Sequence, residues 1–174
     1  MYKHGDATTL GVTITTPDGA FSLIVGAEAV LASGWTDSVD RLMELIHPSL
    51  RSQVVEGDSR LLDQACQAVQ AYYQGDYEAV SVIPVLQRSG IFRMKVWDVM
   101  RLIQVGEQIS YAELARRAGN PTAWRAASGA CSHNAAALFI PCHRIIRSDQ
   151  TLGGFGFGLD VKQSLLEREA NAIR

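Results

Sequence analysis

A thiol, an imidazole and a guanidinium stand side by side at Cys142, His143 and Arg144, directly after Pro141. Apolar runs flank them, Ala135 to Ile140 before and Ile145-Ile146 after, so the segment is expected to be buried or half-buried. Burying polar groups is costly unless they are partnered. Thiolate is the reactive form of cysteine, and a neighbouring imidazole is a common way to generate it. Taken alone, the same residues also fit a core cysteine beside a surface His-Arg pair, since free cysteine packs as a small hydrophobe. A second unusual residue lies further on. Val161, Leu165, Leu166, Glu169 and Ile173 share one face of a helix from Leu159 to Ile173, whereas the charges from Lys162 to Arg168 read as solvated. A carboxylate on that apolar stripe needs a partner, which makes Glu169 the odd residue of the helix.

Along the rest of the chain, the elements that would carry these groups are legible. Thr9–Thr16 alternates as a strand, Pro17-Asp18-Gly19 is a turn, and Phe21–Val25 and Ala29–Trp35 continue an antiparallel meander. Helices are expected at Val39–Ile46 and at Leu61–Tyr73, where Cys66 falls on the apolar stripe, and a further strand at Val80–Val85. From Ile91 the pattern turns helical. Phe92, Val96, Val99, Met100 and Ile103 form one face of a helix ended by Gly106. Ser110 and Glu113 read as a reciprocal capping box that starts a helix running to about Ala118. Gly119-Asn120-Pro121 supplies a stop, an N-cap and a proline for the first position of a second helix, which reaches about Ser132. Two short helices around a glycine-containing turn outline a helix-turn-helix. The second helix is rich in small residues, with Ala126, Ala127 and Gly129 around a lone Arg125, so its backbone could approach another surface closely. Thr151 to Leu159 is a glycine-rich loop without the lysine and hydroxyl residue of a phosphate-binding loop.

The expected fold class is therefore α/β (α+β). A small antiparallel sheet with helices, residues 1–89, precedes a mainly helical domain, residues 90–174, that carries the helix-turn-helix and the reactive segment. In 174 residues, Cys66, Cys131 and Cys142 are too widely spaced for a zinc finger and odd in number, so no metal site or disulfide framework is implied. No apolar run approaches the length of a membrane span, and Met1–Asp6 lacks the core of a signal peptide, which points to a soluble cytoplasmic protein with no membrane partner. Net charge is −2 overall but divides unevenly. Residues 1–91 hold five basic against eleven acidic residues (−6), and residues 92–174 hold eleven against seven (+4). The basic half carries the motif, a weak sign of phosphate contacts.

At Pro141-Cys142-His143-Arg144 the sequence resembles the O6-alkylguanine-DNA alkyltransferases, the methylated-DNA–protein-cysteine methyltransferases. The resemblance runs from about Phe92 to Glu169 and is loose before that. It implies a Cys142–His143–Glu169 relay in which Glu169 orients the imidazole and His143 draws the proton from Cys142. It places Asn134, eight residues before the cysteine, as the link between the helix pair and the active-site segment. It implies that the second helix enters the minor groove of double-stranded DNA through Arg125, Ala126, Ala127 and Gly129, with Arg125 filling the space of an everted base. Eversion is physically required, because a thiol cannot reach a guanine exocyclic oxygen inside a stacked duplex. Tyr111 would assist the guanine leaving group and press on the flanking phosphate, and Phe155, Gly156 and Ile145 would line the base pocket. Arg144 reads as a structural ion-pair residue. The implied product is a thioether on Cys142, formed once per molecule without a cofactor, by a protein acting as a monomer, with cooperation along DNA left open.

Three positions depart from the family pattern. Trp124 stands where small residues are common, which would change the groove fit or turn the ring inward. Ser132 replaces a basic residue of some members, and Gly156 a serine of others. Competing readings are a non-catalytic alkyltransferase-like damage sensor, a turnover thiol hydrolase and a helix-turn-helix transcription factor. The sensor would lack the cysteine, the hydrolase would not need the helix pair, and the transcription factor would not need Glu169.

Overall fold

The computed structural model describes residues 8–173; Met1–Asp6, read above for a leader, lies outside them. The fold is α+β. Strands β1 (Thr9–Thr16) and β2 (Gly19–Val25) form the expected hairpin, pairing from Leu10 opposite Val25 to Thr16 opposite Gly19. β3 (Val30–Gly34) adds antiparallel to β2, with a register shift between Ile24 and Val25. Every residue from Phe21 to Val25 is buried because the sheet is covered on both faces. Phe21, Leu23 and Val25 enter the main core, while Ile24 joins Leu42 and Ile46 in a smaller cluster. Those two residues belong to or follow α1 (Val39–Leu45), whose N-cap Ser38 accepts from the Arg41 amide.

The sheet is mixed rather than antiparallel. A two-residue strand, β4 (Val54–Val55), pairs parallel with β1 and was not expected, because two residues are too few to show a period. α2 (Arg60–Tyr73) opens on the Ser59 cap and buries Leu62, Ala65, Val69 and Tyr72; Cys66 is half-buried against the same core. The strand expected at Val80–Val85 does not form. Ala79–Val82 is a 3-10 turn that points Val80 and Ile83 inward and leaves Val82 exposed, and only Val85 bridges to Val30. Pro84 lacks the amide that a paired strand would donate.

α3 (Ile91–Arg101) packs Val96, Trp97 and Met100 inward, and it ends at Arg101 rather than at Gly106, which lies in the turn beyond. β5 (Ile109–Ser110) leads into α4 (Tyr111–Arg117). Half of the expected capping box is present: Ser110 Oγ accepts from the Glu113 amide at 3.1 Å. The return contact is absent because Arg116 and Arg117 take the Glu113 carboxylate instead. Gly119 stops α4 in the left-handed region, at φ 90°. The next helix, α5 (Trp124–Ser132), starts three residues past Pro121, capped by Ala123 without a side-chain bond. Asn120 is used earlier, its carbonyl accepting from the Ala123 amide in a turn. The α4–α5 connection is therefore longer than the tight turn expected. β6 (Ile145–Ile146) pairs parallel with β5, and α6 (Leu159–Ala172) closes the fold.

The edge of the sheet is tied to the segment before the Cys-His-Arg run. The Ser33 amide donates to the Ala135 carbonyl at 2.9 Å, and Ser33 Oγ donates to the Ala137 carbonyl at 2.7 Å. One core cluster joins sheet residues, α2, α3, residues 136–140 and Leu165 of α6. Among the described residues no helix is long and apolar enough to cross a membrane.

Candidate active site

Residues 134–146 are buried without interruption, and a single 3-10 turn, Cys142–Arg144, carries the three reactive types. Asn134 shapes the approach to it. Its Nδ2 donates to the Ile140 carbonyl at 2.9 Å, while its Oδ1 accepts from the Ala136 amide and from Gln87 Nε2. Six residues of irregular chain are thus closed into a loop whose end presents Cys142. Cys142 is 8% exposed and lines a cavity of about 490 Å3 together with Tyr111, Ser128, Cys131, Asn134 and Phe155. Burial pushes the Cys142 thiol up, opposed by the Asn134 side chain and the charge of Lys162. A thiol in that setting needs a base to become nucleophilic.

The next residue carries an imidazole. His143 is fully buried, and its Nε2 lies 2.7 Å from Glu169 Oε1. Burial lowers its pKa, with Glu169 pulling the other way. Burial alone would raise the Glu169 carboxyl, but the adjacent imidazole and the Arg144 guanidinium outweigh it and hold Glu169 well below the usual range. An ionised carboxylate only accepts, so Nε2 carries a proton, and in the neutral imidazole Nδ1 keeps its lone pair. Nδ1 is the one buried side-chain nitrogen or oxygen without a hydrogen-bond partner among the described residues. Arg144 completes the group as a bidentate fork, Nε to Oε2 and Nη2 to Oε1, both at 2.9 Å, with Nη1 donating to the Ile103 carbonyl. The expected ion-pair role of Arg144 thus has a named partner.

Two residues that sequence reasoning passed over belong to this centre. Tyr72 of α2 donates to Glu169 Oε1 at 2.8 Å. Nothing in the sequence of α2 marked it, since an aromatic on an apolar stripe reads as packing. Lys162 corrects the expectation that the α6 charges are solvated. It is fully buried, and its Nζ donates to the carbonyls of Ile145 (2.6 Å), Leu152 and Gly154 (3.2 Å). The inward face of α6 is Lys162, Leu165, Leu166 and Glu169, while Ile173 is 67% exposed. The 162/165/166/169 spacing held that signal, hidden by the habit of placing lysine outside.

Tyr111, at the start of α4, is half-buried on the cavity wall. Burial and the nearby Cys131 and Cys142 push its hydroxyl up to about 12, so it stays a donor. Phe155 also lines the cavity, its ring 5.8 Å from that of Trp35. Gly156 also lines the cavity, and its carbonyl accepts from Arg41 Nη2 at 2.6 Å, a contact from α1 that the sequence did not foretell. Ile145 does not belong with them. It is fully buried in β6, away from the cavity, and contributes its carbonyl to Lys162.

On α5, Arg125 and Ala126 are exposed and Gly129 is half-buried. Ala127 is fully buried in the core and so does not share their outward face. Trp124 does not pack inward: it is 49% exposed, with the Arg125 guanidinium 5.1 Å from its ring centroid. Ser132 turns back on its own helix, bonding the Gly129 carbonyl at 3.1 Å.

Comparison with known proteins agrees in both sequence and shape. Residues 91–171 match the family model described as 6-O-methylguanine DNA methyltransferase, DNA binding domain. The chain is 43% identical over 102 residues to a methylated-DNA–protein-cysteine methyltransferase of Haemophilus influenzae, covering 59% of this chain and 57% of that protein. A Methanosarcina barkeri protein of the same name is 35% identical over 117 residues, covering 67% of this chain and 73% of its own length. The chain thus spans little more than half of the first of these relatives. Over the whole fold, the crystal structure of Mycobacterium tuberculosis OGT in complex with DNA superposes with a TM-score of 0.76 at 27% identity, covering 94% of each chain.

Proposed function

From a chain that belongs to the methylated-DNA–protein-cysteine methyltransferase family, we propose an enzyme of DNA repair that moves the alkyl group of O6-alkylguanine onto its own Cys142, once per molecule. One observation carries this reading. Cys142 lines a cavity, and the next residue in the chain is a buried imidazole whose Nε2 is bonded to Glu169 and whose Nδ1 has no hydrogen-bond partner among the described residues.

The Cys142 thiol gives its proton to His143, through a water in the family's scheme, and Glu169 and Arg144 hold the imidazole as it becomes charged. The thiolate attacks the alkyl carbon, the sulfur–carbon bond forms as the carbon–oxygen bond breaks, and the electron pair leaves on guanine O6. Tyr111, protonated at working pH, supplies a hydrogen bond or proton to that leaving group. A thioether does not revert, so turnover stops. Arg125 and Ala126 on the outer face of α5, with Gly129, would enter the minor groove of duplex DNA, Arg125 leaving the Trp124 ring to fill the place of the everted base. The DNA-bound M. tuberculosis structure supports nucleic acid as the partner. Asn134 keeps the thiol and the helix pair in register, and Phe155 and Gly156 wall the base. Residues 8–89 serve as scaffold to the DNA-binding and reactive half. The protein would act as a cytoplasmic monomer.

The test is to mix the protein with a duplex carrying one O6-methylguanine and weigh the intact chain. One CH2 per molecule should be gained on the peptide holding Cys142, and Cys142→Ser should gain none. Repeated turnover would indicate a hydrolase. Binding without a mass change would indicate a sensor, and either result overturns the proposal.

A further inference from the structure

The half of the chain without chemistry in its sequence sends a phenol hydroxyl to the buried carboxylate. Tyr72, in the last turn of α2, is fully buried. Its ring is held edge-on by Tyr73 at 5.4 Å and Tyr77 at 4.9 Å, so the hydroxyl has a fixed direction. That hydroxyl reaches Glu169 Oε1 at 2.8 Å. The same oxygen accepts from His143 Nε2 at 2.7 Å and Arg144 Nη2 at 2.9 Å, whereas Oε2 accepts from Arg144 Nε alone. Three donors on one carboxylate oxygen divide its negative charge, and each weakens the hold on the others.

Resting on the alkyl-transfer reading, we propose that Tyr72 is a positioning residue for that reaction. By sharing Oε1 of Glu169 with His143, it fixes the carboxylate against the imidazole and sets how basic the imidazole becomes. A packing role alone would need only the ring. Burial and the neighbouring carboxylate push the Tyr72 hydroxyl far above its ordinary range, so it remains a donor throughout. The charged and titratable groups around the imidazole come from three places. Glu169 and Lys162 come from α6, Arg144 from the 3-10 turn, and Tyr72, with Tyr73 behind it, from α2. Glu169 favours the imidazolium, and Arg144 and Lys162 oppose it. Removing the Tyr72 hydroxyl leaves the carboxylate less shared, so His143 is protonated at higher pH.

Single-turnover transfer from a duplex carrying O6-methylguanine, followed across pH for the parent and Tyr72→Phe, reads this directly. The acid limb should move up by about half a pH unit in the variant, with the duplex affinity nearly unchanged. Below the limb the rate should fall about threefold. Superimposable profiles from two folded proteins would overturn the proposal. Should Tyr72→Phe fail to fold, fluorotyrosine incorporated at position 72 alone decides. Its more acidic phenol is a stronger donor and should move the limb down, and an unmoved limb overturns the proposal. A parent protein that transfers nothing would instead overturn the reading on which this one rests.

Discussion

At the scale of single residues, the reactive centre is one carboxylate serving three donors. Glu169 accepts from His143, Arg144 and Tyr72, all in the interior. Breaking a buried ion pair by neutralising one partner leaves the other charge uncompensated, so Glu169→Gln should cost about 3 kcal/mol or more in urea unfolding at neutral pH. The pH dependence follows from the direction of the shift. The folded carboxyl titrates below its unfolded value of about 4.3, so its contribution is complete above that value. It is lost as pH falls through the depressed folded value. The stability gap between parent and Glu169→Gln should therefore narrow as the solution is acidified below the unfolded value. A gap that stays constant would mean Glu169 is not the ionised partner. In the same variant transfer should slow by about a hundredfold, the contribution expected of a correctly held proton acceptor.

At the scale of elements, the glycine-rich loop after the reactive turn is held by α6 from below and by α4 from the side. Lys162 binds the Leu152 and Gly154 carbonyls. Between them Gly153 adopts φ 73°, and a Cβ there would meet Tyr111 Oη at 2.8 Å. A side chain at this position is strained by about 1 kcal/mol and also forces the phenol aside. Gly153→Ala should thus lower both the thermal midpoint and the transfer rate, the latter about tenfold through the displaced Tyr111. Gly156→Ala is the contrasting case, since its Cβ would meet nothing within 4 Å, and it should leave stability close to the parent. Equal losses in the two variants, measured by thermal unfolding and single-turnover rates, would refute this account of the loop.

At the scale of the whole molecule, the sheet and the helical half share one core. Phe21, Leu23, Tyr72, Met100, Phe139 and Leu165 belong to a single cluster, and Ser33 on the sheet edge bonds the backbone at Ala135 and Ala137. Neither half can open without exposing the apolar surface of the other. Unfolding should therefore be one transition. Fluorescence of single-tryptophan variants retaining Trp35 or Trp97, one in each half, should report the same midpoint. Two separated midpoints would show that residues 8–89 and 90–173 fold as independent units.

Local rules wrote much of this protein. Alternation placed β1, apolar spacing placed α1, α2 and α6, and Glu169 stood out because a carboxylate on a buried stripe demands a partner. Cys142 and His143 were conspicuous as neighbouring reactive types within an apolar run. What pairing and burial decide at long range was invisible to those rules. Tyr72 lies 97 residues from its carboxylate, and Lys162 is inside because the carbonyls of Ile145, Leu152 and Gly154 need a donor. Glu113 leaves its capping role because two arginines reach it first, and Ala127 is turned into the core by its helix. Periodicity says which face of an element is apolar, but the choice of which distant polar group meets it is made only when the chain is packed.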